Sequence, residues 1–203
     1  MYGTLKKRFG QNFLIDKNIQ KKIVSLIPKN NSNIIEIGPG DGRLTECIIK
    51  TLPNELLLVE IDTDLIPLLN SKFLRYKNIK IINQNILDYD FNEKIDLIIS
   101  NLPYNISSQI LVKILKFNLW PPNLSDIIFM FQKEVAEKIL GKFNTSKYGR
   151  LSIITNYKLM IFKKFDISPN CFSPRPKVIS TVLHLKPNKK RYVKLNNINN
   201  SYS

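Results

Sequence analysis

Histidine is nearly absent from this chain: His184 is the only one among 203 residues. Cysteine is almost as scarce, and Cys47 and Cys171 stand alone with no CxxC spacing. These two shortages exclude a zinc site, which lacks its ligands, and a His-based catalytic triad, which lacks its base. No apolar run approaches the roughly 20 residues needed to cross a bilayer. The basic stretch Met1 to Phe9 also lacks the apolar core of a secretory signal. The expectation is a soluble cytoplasmic protein without metal. Acidic residues are few as well, 16 against 31 Lys and Arg, which leaves a formal net charge of +15. Such a surface favours a polyanion, most commonly nucleic acid. Basic clusters fall at Lys6-Lys7-Arg8, Lys163-Lys164, Arg175 with Lys177, and Lys189-Lys190-Arg191. Codon bias toward Lys, Asn and Ile is the competing explanation, so charge alone is only suggestive.

What is present is a folded α/β domain. The length and the 43% hydrophobic content suit one domain with a real core. Asp16 is placed to cap a helix reaching about Ile27, striped by Ile19, Ile23, Leu26 and Ile27. Ile34 to Ile37 reads as a short buried strand running directly into Gly38. A helix from about Leu44 to Leu52 follows, then a strand from Leu56 to Val59. Asp62 or Thr63 is expected to cap the next helix, with Pro67 in its first turn. Further strands are expected at Ile79 to Ile82, Leu97 to Ile99 and Ile127 to Phe131, with helices at Ser107 to Lys116 and Lys133 to Leu140. Alternating units with continuous apolar strands indicate a parallel sheet covered by helices on both faces. Periodicity does not separate helix from strand over Leu151 to Phe165. Pro169, Pro174 and Pro176 mark an irregular segment before a last strand, about Ile179 to Leu185. The polar, Asn-rich end beyond Pro187 is expected to be disordered.

Two motifs carry chemistry. Glu36-Ile37-Gly38-Pro39-Gly40-Asp41-Gly42 joins a strand to a helix, and its glycines permit a tight turn and close approach to a ligand. Glu60 ends the next strand, where a carboxylate can accept both hydroxyls of a ribose. The pair indicates an adenosine-containing cofactor without saying which one. The second motif, Asn101-Leu102-Pro103-Tyr104, follows a strand at the end that faces the ligand crevice. An aryl amine is a poor nucleophile because its lone pair is delocalised into the ring. The Asn101 side-chain carbonyl and the Leu102 backbone carbonyl can accept both amine hydrogens and localise that pair. Pro103 biases Leu102 away from the helical region, and Tyr104 offers a stacking face for a base taken out of its helix. Catalysis is then mainly positioning, and no general base is required. Phe172, among the prolines of Cys171-Phe172-Ser173-Pro174-Arg175-Pro176-Lys177-Val178, is a further candidate stacking platform, with Arg175 and Lys177 near phosphates.

Together these stretches resemble the ribosomal RNA adenine N6,N6-dimethyltransferases, most nearly the KsgA type. The resemblance also draws on Lys7-Arg8-Phe9-Gly10-Gln11-Asn12-Phe13-Leu14, Gln132-Lys133-Glu134-Val135 and Tyr148-Gly149-Arg150-Leu151-Ser152. It runs from Lys6 to about Lys186. It implies a Rossmann-like S-adenosylmethionine-dependent methyltransferase domain over 1–186, followed at 187–203 by a basic remnant of a small helical C-terminal domain that is otherwise missing. It implies dimethylation of two adjacent adenines near the 3′ end of 16S rRNA in the small ribosomal subunit, by a monomer. Asn12 and Leu14 would close over the cofactor, Gly38 and Gly40 would lie along its methionine end, and Glu60 would meet its ribose. Asn101 would touch cofactor and target amine, while Tyr104 and Phe172 would stack on the adenine. The family usually places Asp where this chain has Asn85, against the cofactor's adenine; losing the charge assistance costs about 1 kcal/mol. Three other readings compete: a 23S rRNA adenine methyltransferase of the macrolide-resistance type, a ribosome-assembly binding factor with little catalysis, and a nicotinamide dehydrogenase. The first is disfavoured by Gly10-Gln11-Asn12 and the Tyr148 stretch, the other two by the Asn101 loop.

Overall fold

A computed structural model describes residues 12–29, 32–91, 94–101, 106–117 and 123–189. Five parallel strands form its centre: β2 (Asn33–Ile37), β3 (Glu55–Glu60), β4 (Ile79–Asn83), β5 (Leu97–Ser100) and β6 (Asp126–Gln132). The short strand β1 (Phe13–Leu14) precedes them in the chain, and β7 (Leu159–Ile167), β8 (Phe172–Ser173) and β9 (Ser180–Pro187) follow. The sheet order is β4-β3-β2-β5-β6-β9-β7, with β9 antiparallel to both of its neighbours. The expected sheet is therefore parallel only over its first five strands. The connection between β7 and β9, 168–179, contains no α-helix to cross a face of the sheet, and the chain returns in the opposite sense.

The central strands are apolar along most of their length because both faces are covered. Ile98, Ile127, Phe129 and Phe131 point to one core, and Leu97, Ile99, Ile128 and Met130 to the other. Helices α4 (Ser107–Leu115), α5 (Lys133–Ile139) and α6 (Arg150–Lys158) cover the first face, while α1 (Lys17–Val24), α2 (Arg43–Ile48) and α3 (Ile66–Phe73) cover the second. Asp16 caps α1 as expected, its Oδ1 accepting from Asn18 N at 2.8 Å and Ile19 N at 3.0 Å. The cap of α3 differs from expectation. Asp62 instead opens a turn, its Oδ1 accepting from Asp64 N at 3.1 Å, and α3 begins only after Leu65. Among the described residues no helix is long and apolar enough to cross a membrane.

The segment from Leu151 to Phe165 resolves into α6 and β7, and both hide their type in sequence for physical reasons. The buried positions of α6 include Ser152 and Thr155, so it has no apolar stripe. β7 is an edge strand with Met160, Ile161 and Phe162 exposed and an irregularity between Ile161 and Lys163. The reversed strand is fastened by a buried pair: His184 Nε2 meets Asp126 Oδ1 at 2.5 Å, and Ser125 Oγ donates to Asp126 Oδ2 at 2.6 Å. Burial pushes the Asp126 carboxyl up, but its hydrogen bonds from His184 and Ser125 outweigh this and hold it below the usual carboxylate range. Removing Asp126 takes from the buried His184 ring its bond at Nε2. Asp126→Ala is expected to lower the unfolding free energy by about 3 kcal/mol, measured by urea denaturation; a loss near zero would show that the pair does not fasten β9.

Candidate functional site

A cavity of about 250 Å³ opens at the carboxyl ends of β2, β3, β4 and β5. Strand order reverses between β2 and β5, from which the chain proceeds outward in both directions. In open α/β sheets that switch point is where ligands bind. Asn12, Leu14, Gly38, Gly40, Glu60, Asn85 and Asn101, the seven residues expected around a cofactor, all line this one cavity.

The loop after β2 follows from its glycines. Gly38 and Gly40 have φ of +64° and +61°, in the left-handed region that L side chains rarely adopt. Gly40 must also lack a side chain, because a β-carbon there would lie 2.7 Å from Phe13 Cε1. Phe13 thus seats the N-terminal arm on the loop. The arm is held on its other side by β8, with Phe13 opposite Ser173 and Leu14 opposite Phe172. Ile15 N donates to Cys171 O at 2.8 Å just beyond. The arm ends against Asn101, whose Nδ2 donates to Asn12 O at 3.0 Å. With the amide nitrogen committed there, the amide oxygen is fixed on the opposite side of the group. Ser100 Oγ donates to Ile37 O and binds β5 to β2 immediately before this residue.

Carboxylates dominate the cavity's electrostatics. Glu60 is buried, and its two oxygens accept from Gly40 N at 3.0 Å and Asp62 N at 2.9 Å. Burial raises its pKa, opposed by those two bonds. Glu36 is deeper still and accepts from Thr45 Oγ1 at 2.6 Å. Burial drives its carboxyl up to about 8 against that hydrogen bond, with Glu60 and Asp41 adding repulsion and Lys72 relieving some of it. Sequence reasoning placed Glu36 inside the glycine motif without assigning it a role; its position two residues before Gly38 was the available signal. Asn85 lines the cavity, and its Oδ1 accepts from Leu87 N at 3.0 Å.

One expected residue is not brought to the cavity. Phe172 is 3% exposed and packs in the core with Leu14, Ile23, Ile167 and Met130. In this structure its ring anchors β8 beneath the arm, away from the residues that line the cavity. The irregular Pro-rich segment hid this, because it gives no periodicity from which to read an inward-facing position. Leu102, Pro103 and Tyr104 lie outside the described residues, as do Lys6-Lys7-Arg8, Lys190 and Arg191.

A sequence profile described as "Ribosomal RNA adenine dimethylase" matches residues 3–201. A ribosomal RNA small subunit methyltransferase A of Pelagibacter ubique is 47% identical over 201 residues, covering 96% of this chain and 74% of that protein. The fold is similar to the crystal structure of a dimethyladenosine transferase from Plasmodium falciparum, with TM-score 0.78 and 28% identity over 89% of this chain and 65% of that one. It is also similar to the 23S rRNA methyltransferase ErmE, with TM-score 0.76 and 24% identity over 88% of this chain and 70% of that one, a likeness of fold. The chain thus spans about two thirds to three quarters of the proteins it matches.

Glu36 makes the cavity's charge measurable. The folded protein keeps it protonated up to about pH 8, while the unfolded chain ionises it near 4.5. The folded state then binds more protons across that window, so Glu36 costs stability as pH rises through it. Glu36→Gln is expected to be more stable than the parent by an amount that grows from about pH 4.5 to about 8, exceeding about 1 kcal/mol at the upper end. Urea denaturation at a series of pH values reads the difference; a difference independent of pH would mean the carboxyl is already ionised in the fold.

Proposed function

The chain belongs to the ribosomal RNA adenine dimethylase family, and from that premise we propose that it methylates the N6 amino groups of two adjacent adenines near the 3′ end of 16S rRNA, within the small ribosomal subunit in the cytoplasm. The observation that carries the proposal is the meeting of seven expected residues around one cavity, with Asn101 oriented at its edge by the arm.

The donor set suits S-adenosylmethionine. The cofactor brings hydroxyls, an adenine ring and cationic sulfonium and ammonium groups. The cavity offers the Glu60 carboxylate to hydroxyls and the Asn85 amide to the ring, while the protonated Glu36 carboxyl lies deeper among its lining residues. Carboxylate oxygens retain acceptor capacity after one backbone bond each, so the two bonds at Glu60 do not exhaust it. When bound, S-adenosylmethionine supplies an electrophilic methyl group. The protein's part is to hold the amine. Asn101 accepts a hydrogen of the target amine on its amide oxygen, whose direction is set by the bond from Nδ2 to Asn12. In this proposal the Leu102 carbonyl takes the second hydrogen, and the Tyr104 ring is the stacking face for the base. The tie from Asn101 to Asn12 also links amine positioning to closure of the arm.

The curated relatives named for the small subunit, at 39–47% identity, support that subunit as the substrate over the large one. Labelled S-adenosylmethionine supplied with small subunits from a strain lacking the enzyme is expected to place label in N6-methylated adenine. Label confined to large-subunit RNA, or absent while cofactor still binds, would refute the assignment. Asn101→Ala is expected to lower the transfer rate about a hundredfold or more while most RNA affinity remains; single-turnover kinetics with a near-normal rate would remove Asn101 from the mechanism.

A further inference from the structure

The loop joining α5 to α6 is braced more heavily than a connection requires. Gly141 approaches the opposite side of the loop so closely that a β-carbon would meet Lys147 O at 2.2 Å. Its carbonyl accepts from Asn156 Nδ2 at 3.1 Å, which fastens the base of the loop to α6. Two turns fill the interval, Thr145 N donating to Lys142 O at 3.1 Å and Tyr148 N to Thr145 O at 3.0 Å. Asn144 takes the left-handed conformation, with φ of +62°. Ser152 Oγ caps the helix that follows, accepting from Gly149 N at 2.9 Å.

This frame holds two aromatic rings in water. Phe143 is 74% exposed and Tyr148 is 42% exposed, and they meet edge to face with centroids 5.6 Å apart at 88°. One exposed ring is ordinary on any protein surface. Here two are fixed in contact by a rigid loop, with exposed Lys142 and Arg150 beside them in sequence. Lys147 adds a third cation, paired with Glu137 at 3.6 Å, while the other nearby acid, Glu134, is taken by Lys138 at 2.9 Å. Interleaved rings and cations on a chain of net charge +15 complement a polyanion that also carries flat faces.

The loop's position fits the same partner. α4 starts just after the strand end that bears Asn101, hence at the rim of the cavity. α6 packs beside α4, and Lys158 Nζ at its end donates to Leu115 O at the end of α4. The two helices are equally long, so Arg150 at the start of α6 lies toward that rim.

We propose that Phe143 and Tyr148, with Lys142, Lys147 and Arg150, form a docking surface for single-stranded RNA, stacking an unpaired base on the ring pair and holding the neighbouring phosphates. The inference rests on the reading of this chain as an RNA-modifying enzyme and adds a grip outside the cavity. Because the loop is already rigid, little ordering is needed when RNA arrives.

The test uses the full chain, a fluorescent single-stranded oligoribonucleotide of the 16S rRNA 3′ region, and S-adenosylhomocysteine as the cavity probe. The double variant F143L/Y148L keeps apolar bulk and removes the rings; RNA affinity is expected to fall about tenfold or more with the salt dependence unchanged. The variant K142Q/R150Q is expected to flatten the slope of log affinity against log salt by about one unit. S-adenosylhomocysteine affinity should stay at the parent value in both. Parent-like RNA binding by both variants, while the parent chain methylates RNA, overturns the docking surface and leaves the function standing. Loss of S-adenosylhomocysteine binding in step with RNA binding also overturns it, since the loop would then be structural. A parent chain that neither binds nor methylates the RNA overturns both readings.

Discussion

The Glu60 carboxylate holds the site together. It is a buried anion at the end of a strand, and burial without partners would cost several kcal/mol. Its two oxygens are satisfied by backbone N–H groups from two different loops, Gly40 and Asp62. Those bonds fix the path of the glycine loop over the end of β3. The loop in turn gives Phe13 a surface without a β-carbon to rest on, Phe13 positions the arm, and the arm sets the direction of the Asn101 amide. A chain of contacts thus runs from the cofactor's expected ribose contact to the group that orients the target amine.

The molecule divides its electrostatics between outside and inside. The chain carries a net charge of +15, yet Asp41 and Glu60 line its cavity, with Arg43 held to Asp41 at 2.6 Å. A basic exterior attracts phosphate backbones over a Debye length of about 8 Å at physiological salt. An acidic interior repels those phosphates and accepts a cationic small molecule. The two ligands of the proposed reaction are sorted by sign before any shape is read.

The central strands and their helices were legible in the sequence because short apolar runs alternate with amphipathic stretches, and α1 also because Asp16 caps it. The cavity residues Gly38, Gly40 and Glu60 were legible because glycines after a strand and a strand-terminal acid leave a recognisable spacing, whereas Asn12, Leu14 and Asn85 were reached only through the family resemblance. Three things were not. The antiparallel strand β9 carries the same apolar pattern as a buried parallel one, so direction is invisible in composition. α6 buries Ser152 and Thr155, which erases its stripe. Phe172 sits among prolines, where nothing distinguishes an inward ring from an outward one, and only the packing shows it in the core.

The pairing of β1 with β8 joins the beginning of the described chain to its end, as the contact between Asp16 and Cys171 across 155 positions illustrates. On the ribosome, synthesis proceeds at about 5–20 residues per second from the N-terminus. The arm is therefore among the first segments to emerge, yet it has no strand to pair with until β8 has been made. The wall of the site at Phe13 and Leu14 therefore depends on a contact between segments far apart in the chain, made only after β8 has been synthesised.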